Sequence, residues 1–506
     1  MPEASTTAAR ERADGGRLVS GFVWNALGRG LPLLLALLIT PFLVKLLGVE
    51  RWGLFTLALA LVGIFGIFDL GLGMALTRAV SEKLGADQQD EAKAMIGAAL
   101  IALFGISTVV AIALLLLMPW LVSQVLNVPA ALQAEGVTAF QVLAAAAPLV
   151  VLNASLWGIL SAWQRFRQAN LVNIPLNAFY YLGPVLILLV WDSLIAVMIT
   201  LVFIRLLSGI CYALIAQRDV PGLGLRQASF ASLRPLFRQG LWMSFSGALT
   251  QLLLYADRFV IGAVLTLSAV AFYATPLDLV MRMWILPVAV AQTLLPAIAS
   301  SYRSLENETA LLVKRGALII MGLALPACAI LIPSATLLLR LWLGEEFASG
   351  GGAVLRLLAC GIFFSCLAFI PGVLLEAIGR PDVIAKFSLV QMIIFLPLSA
   401  ALLPILGIEG AALAWVCRCL VDVLGRAWLA IRLYPPSAKA VRDVALPFAL
   451  AAIGLFLLLA VQDILSSLVI ASILCCLVLF TGWRAAAPED RHRLLARIVP
   501  KKGLRT

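Results

Sequence analysis

Histidine is almost absent from this sequence: 506 residues hold one, His492, near the C-terminal end. That removes His-built metal centres and Ser/His or Cys/His nucleophile pairs. Charge is scarce as well, at 12% of residues, and no GxxxxGK[ST] segment occurs, so the chain has no Walker A phosphate cradle. The eight cysteines, Cys211, Cys328, Cys360, Cys366, Cys417, Cys419, Cys475 and Cys476, fall inside apolar runs and not in loops, which argues against a disulfide framework. Neither a cofactor nor a metal is expected, and chemistry on the protein's own side chains has no visible machinery. A non-enzyme is the expectation.

What is abundant is apolar surface. Hydrophobic residues make up 63% of the chain, and the mean hydropathy is +1.05, beyond what a water-soluble domain can bury. A bilayer-spanning helix needs about 20 mostly apolar residues, and lipid offers backbone amides no partner but their own helix. The fold class expected is therefore an all-α polytopic membrane protein of about 14 transmembrane helices. Apolar runs place them near 19–47, 53–77, 94–119, 136–162, 169–190, 193–217, 237–264, 269–300, 311–341, 353–378, 383–404, 410–432, 443–461 and 465–483. The polar first seventeen residues, with Arg10, Arg12 and Arg17, lead into an apolar run without a small-residue cleavage site, which reads as a retained helix and not a signal peptide.

Lys and Arg resist translocation and mark cytoplasmic loops. Most of the 37 basic residues lie in alternate loops: before the first span, after every even-numbered span, and beyond Trp483. The opposite loops hold Arg51 alone. An even number of crossings with both termini cytoplasmic follows, in a cell inner membrane. The net charge of +11 is spread between apolar runs and not gathered on a soluble face, so nucleic acid is not the partner.

The chain also repeats itself. GFVWNALGRGLPLLLALLITPFLVKLLGVERWGLF from Gly21 can be laid without gaps on GLWMSFSGALTQLLLYADRFVIGAVLTLSAVAFYA from Gly240. Six crossings preserve orientation, so the halves would be related by an axis along the membrane normal. The expected organisation is a six-helix lobe over 1–217, a cytoplasmic linker over 218–238, a second six-helix lobe over 239–432, and two extra helices with a basic tail over 433–506.

LGVERWGLF at Leu47–Phe55, FDLGLG at Phe68–Gly73, LNVPAALQAEG at Leu126–Gly136 and YADRFVIGAVL at Tyr255–Leu265 together resemble the oligosaccharide and polysaccharide flippases of the multidrug/oligosaccharidyl-lipid/polysaccharide superfamily, such as O-antigen flippases. The resemblance runs over most of the chain. It implies two six-helix lobes around a central cavity, extra C-terminal helices, and alternating access. Fourteen spans fit the peptidoglycan-precursor and polysaccharide members better than the twelve-span multidrug extruders.

A charge at mid-bilayer costs about 2.5–3.5 kcal/mol on insertion scales, so charges kept there need a partner or a wet cavity. Lys45, Arg340, Arg356 and Glu376 lie near span ends, where snorkelling to the interface accounts for them. Arg29, with Asn25 on the same face and Pro32 nearby, forms a polar stripe on the opening helix. A guanidinium there suits a lipid diphosphate, whose oxygens its planar fork can bind in pairs; a structural arginine on backbone carbonyls is the plainer reading. Arg205 has no acid within four residues, so its counter-charge must come from another helix or from substrate. Asp278 with Arg282, and Arg418 with Asp422 and Arg426, are spaced to pair along one helix face. Asp257 and Arg258 are adjacent and point to different faces; Arg258 joins the substrate-binding candidates. The resemblance makes Asp257 a recurrent position for packing or ion coupling. Asp69, beside Gly71 and Gly73, is a second candidate for ion coupling, against a plain helix-end hydrogen bond.

The function expected is translocation of a lipid-linked oligosaccharide, carried as a polyprenyl diphosphate, with membrane lipids and glycan polymerases or glycosyltransferases as partners. Two readings share the scaffold: an ion-coupled multidrug antiporter, which expects aromatic and acidic cavity walls, and a lipid-linked peptidoglycan-precursor flippase. A membrane glycosyltransferase would need large outer loops with carboxylates. The largest here, about Leu121 to Glu135, has no Asp and one Glu.

Overall fold

The computed structural model describes residues 15–64, 72–219, 249 and 251–491, the side chains of 15–33, 72–75 and 166 excepted. Every regular element among them is helical. In chain order they are α1 Gly15–Ile64, α2 Leu72–Gly85, α3 Gln89–Trp120, α4 Ala130–Ala145, α5 Ala147–Ala162, α6 Phe166–Leu188 and α7 Leu194–Asp219. There follow α8 over 251–264, α9 Leu267–Met281, α10 Ile285–Ser301, α11 Glu306–Leu343, α12 Glu345–Ala377, α13 Pro381–Leu433, α14 Ser437–Ala460 and α15 Ile464–Ala485. Among the described residues, ten helical stretches are long and apolar enough to cross a membrane. The chain is a multi-pass α-helical membrane protein.

Two of the longest helices are broken by glycine. At Gly48, φ is 74° and ψ 164°, a conformation closed to L side chains, and α1 changes direction there. At Gly407, φ is 58° and ψ −147°, and the two halves of the 53-residue α13 fold back on each other. A Cβ added at Gly410 would lie 2.6 Å from the Leu402 carbonyl oxygen, and one added at Gly425 would collide with the Phe387 ring. These breaks separate the expected spans 19–47 from 53–77 and 383–404 from 410–432. The total of fourteen crossings is compatible with this pattern.

The chain divides into two compact units, Met1–Ser268 and Ala269–Thr506. The first has a core of Val80, Met95, Ile96, Leu103, Val151, Ile159, Leu160 and Tyr212, drawn from α2, α3, α5 and α7. Arg51, just past the Gly48 break in α1, links α4 to the connection between α6 and α7. Its Nε donates to Glu135 at 3.0 Å and an Nη to Asp192 at 2.7 Å, while Glu135 also accepts from the Leu194 amide at 2.7 Å.

The second unit is built around α12. Between Arg356 and Glu376 this helix is apolar on nearly every side, and it is buried almost throughout, as such a helix must be. It packs against α10, α11, α13 and α14. Gly361 lets α13 approach, since a Cβ there would meet the Trp415 ring at 2.6 Å.

Candidate functional site

Within the first unit, α5, α6 and α7 line an open cavity of about 550 Å³. Asn153, Ala154 and Trp157 of α5 line it with Asn173, Asn177, Tyr180 and Tyr181 of α6, and with Arg205, Ser208 and Tyr212 of α7. Helical periodicity explains the convergence. Asn173, Asn177 and Tyr180 recur at i, i+4 and i+7, and Arg205, Ser208 and Tyr212 at i, i+3 and i+7, so each set forms one stripe. Away from their polar end residues, α6 and α7 are otherwise mainly apolar, with Phe179, Leu186, Phe203 and Leu214 more than half exposed, as lipid-facing side chains are.

Among the described residues, Arg205 is the one charged residue lining the cavity. Its guanidinium stands 5.2 Å from the centroid of the Tyr180 ring and reaches the Tyr180 hydroxyl at 3.4 Å, and it joins no ion pair among the described residues. Asn153 donates to the Arg205 carbonyl at 2.8 Å, clamping α5 to α7. The Asn153 Oδ1 is buried without a donor. Asn177 donates to Asn173 at 2.7 Å, and Trp157 and Tyr212 stack obliquely with centroids 6.3 Å apart. Among the described residues the lining thus offers amides and hydroxyls that both donate and accept, aromatic faces and one cation outside any ion pair, with no carboxylate. Such walls suit a polyhydroxylated or anionic group and offer a cation no negative charge to balance it.

The other in-membrane charges are placed differently. Asp257 and Arg258 on α8 are buried at 0% and 3% exposure. The Asp257 carboxylate accepts from the Arg258 amide at 2.8 Å, the Arg258 guanidinium lies 5.3 Å from the Tyr255 ring, and both residues have further partners. Asp278 and Arg282 do not pair, despite their spacing. α9 ends at Met281, and Arg282–Trp284 form a single 3-10 turn, so the regular i, i+4 geometry stops short of Arg282. Asp278 is engaged elsewhere.

The expected triad on α13 resolves into a pair and a separate cation. Asp422 accepts from Arg426 at 2.7 Å and, across the Gly407 fold, from Gln391 at 2.7 Å. Arg418 instead lies over Phe395 and Trp415, at 5.5 and 5.8 Å. Arg356, expected to snorkel, caps the C-terminal end of α14 by donating to the carbonyls of Leu458, Leu459 and Val461 at 3.1, 3.0 and 2.6 Å. The side chains of Asn25 and Arg29, and the whole of Asp69, lie outside the described residues.

Of the candidate substrate-binding residues, the cavity gathers Arg205 alone. It adds Asn153, Asn173, Asn177, Tyr180 and Tyr181, which a search for charge passes over. The signal available in sequence was a pair of amides four residues apart, followed by two tyrosines, inside an otherwise apolar run.

The family described as polysaccharide biosynthesis protein matches residues 18–302, more than half of the chain. The chain belongs to that family. A candidate O-antigen transporter of Shigella flexneri is 27% identical over 419 residues, covering 82% of this chain and 98% of that protein. The uncharacterised membrane protein EpsK of Bacillus subtilis (strain 168) is 27% identical over 355 residues, covering 67% of this chain and 68% of that protein. Among solved structures, an inward-facing multidrug resistance MATE family transporter of the MOP superfamily superposes with a TM-score of 0.72 at 16% identity, over 82% of this chain and 98% of that one. The lipid II flippase MurJ, in an inward closed conformation, gives 0.66 at 14% identity, over 92% and 99%. The fold is shared with both.

Proposed function

We propose that this protein is a flippase which carries a lipid-linked oligosaccharide across the cytoplasmic membrane by alternating access. In this reading it is a transporter and not an enzyme. The single observation that carries it is the cavity around Arg205: polar, aromatic, cationic and, among the described residues, free of carboxylate, on helices with apolar exposed faces. A glycan crossing hydrocarbon unaided would leave many hydroxyls without partners, at several kcal/mol each on transfer scales that allow no hydrogen bonds, roughly 4–8 kcal/mol. Asparagine amides and tyrosine hydroxyls replace water for those groups, and Arg205 meets a diphosphate or an acidic sugar. The polyprenyl tail stays in lipid.

The lobes over 1–217 and 239–432 exchange access between the two faces, with both termini in the cytoplasm. Arg29 and Asn25 of the opening helix belong to this proposal as further substrate-binding residues. Glycan polymerases or glycosyltransferases supply and consume the cargo. The multidrug antiporter reading fits the cavity less well, because its walls call for acidic groups.

The test is transfer of a fluorescent lipid-linked oligosaccharide in liposomes, read as label reaching the far side. The wild-type protein is expected to transfer it, and Arg29→Gln and Arg205→Gln each to slow transfer by about tenfold, the loss of one charge-assisted contact. Absence of transfer by wild type, or expulsion of a cationic dye in its place, overturns the proposal.

A further inference from the structure

A second cavity, about 480 Å³ in volume, lies wholly within the second unit between the first third of α11 and the end of α15. Its rim is polar: Lys314, Arg315, Trp483 and Asp490. Its floor is apolar, formed by Leu318, Ile319, Met321, Val478 and Leu479. Ile319 and Leu479 are half exposed, so the floor opens toward the surface that lipid covers. Two glycines keep it open. A Cβ at Gly482 would have Leu318 as its nearest neighbour at 3.6 Å, and one at Gly322 would have Leu479 at 3.8 Å, so larger side chains at either position would occupy the space now empty.

The charges are held in place. Lys314 pairs with Asp443 at 2.9 Å and Arg315 Nε with Asp490 at 2.6 Å. Arg315 spends one of its five N–H donors on that bond, and its terminal nitrogens have no partner among the described residues. The Lys314–Asp443 bond brings the first turns of α14 alongside, with Lys439 and Arg442, while Arg484 and Arg491 stand at the end of α15. Of the charged side chains that line the cavity, two are basic, Lys314 and Arg315, and one is acidic, Asp490. A cationic, tryptophan-bearing edge above an apolar floor, at the end of two spans, has the polarity profile of a phospholipid at the membrane–water boundary.

We propose that this cavity binds one anionic phospholipid, its phosphate on the terminal nitrogens of Arg315 and its glycerol and upper chains over Leu318 and Leu479. The site is separate from the Arg205 cavity and independent of what is transported. Bound lipid would fasten α11 to α15.

Native mass spectrometry of the full-length protein in detergent, titrated with phosphatidylglycerol or phosphatidylcholine, tests this. Wild type is expected to retain one phosphatidylglycerol and to release phosphatidylcholine. Arg315→Gln should weaken retention about fivefold, the effect of one basic residue on anionic-lipid affinity. Gly482→Leu, which leaves both ion pairs intact, should weaken it by filling the floor, and it decides the matter alone if Arg315→Gln does not fold. Equal retention by wild type and Gly482→Leu, equal retention of the two lipids, or displacement by a polyprenyl diphosphate at equimolar amount would overturn the proposal.

Discussion

Arg205, Arg356 and Arg426 all sit within membrane-spanning helices, and each meets its charge differently. Arg426 has a carboxylate, Asp422. Arg356 has the last carbonyls of α14. Arg205 has the face and hydroxyl of Tyr180 and an open cavity. These environments predict different losses. Arg356→Leu should destabilise the fold by about 1–3 kcal/mol, since it leaves partly buried helix-end carbonyls without donors, and should leave substrate affinity unchanged; thermal unfolding in detergent set against substrate binding separates the two. Arg205→Gln should do the reverse. At the opposite extreme of exposure, Asp463 caps α15 by accepting from the amide and hydroxyl of Ser466, at 2.8 and 2.7 Å, and those bonds hold its carboxyl below the usual range. The sign follows from the depressed value: its stabilisation is complete above the ordinary carboxylate pKa of about 4 and is lost as pH falls through the lower folded value. Asp463→Asn, which keeps the acceptor, should therefore flatten the acid end of the stability profile, and Asp463→Ala should lower stability at neutral pH as well. The charges were legible in sequence because lipid makes them conspicuous. Their partners were not, since Arg356 finds carbonyls more than a hundred residues away and Asp278 loses Arg282 to a 3-10 turn that spacing alone does not announce.

Among elements, glycine decides where the helices stop and how closely they meet. Hydropathy located the helices because a spanning segment must be long and apolar. The breaks at Gly48 and Gly407 were legible as short turns between apolar runs, and the backbone leaves the helical region at each glycine. The π-helical turn at Leu121–Val125, which ends α3 after Pro119, left no periodic trace. Close packing was equally hidden: Gly361 is unremarkable in a run of apolar residues until Trp415 is found against it. Gly361→Val should force that ring aside and cost about 1–3 kcal/mol, as overpacking does, read as a lower unfolding midpoint in detergent. The cavity between α5, α6 and α7 belongs to this scale as well. It is assembled from two polar stripes that are each modest alone, and only the packing of α5 against both shows that they face one space.

For the whole molecule, the sequence supplied the solvent and the class of structure, and the family assignment supplied the context of polysaccharide biosynthesis. The positively charged loops give an orientation that impermeant labelling of a cysteine at position 2 or 506 can check, with both positions expected to react from the cytoplasmic face alone. Function turns on whether the Arg205 cavity is wet and receives the polar head of the cargo. The most direct measurement replaces the eight native cysteines, all unpaired, and introduces Asn177→Cys for labelling with a membrane-impermeant maleimide. The cavity reading predicts that residue 177 is modified and that added lipid-linked oligosaccharide protects it, while an unglycosylated polyprenol does not. A residue 177 that never reacts, or that reacts equally with and without the glycan lipid, would contradict it.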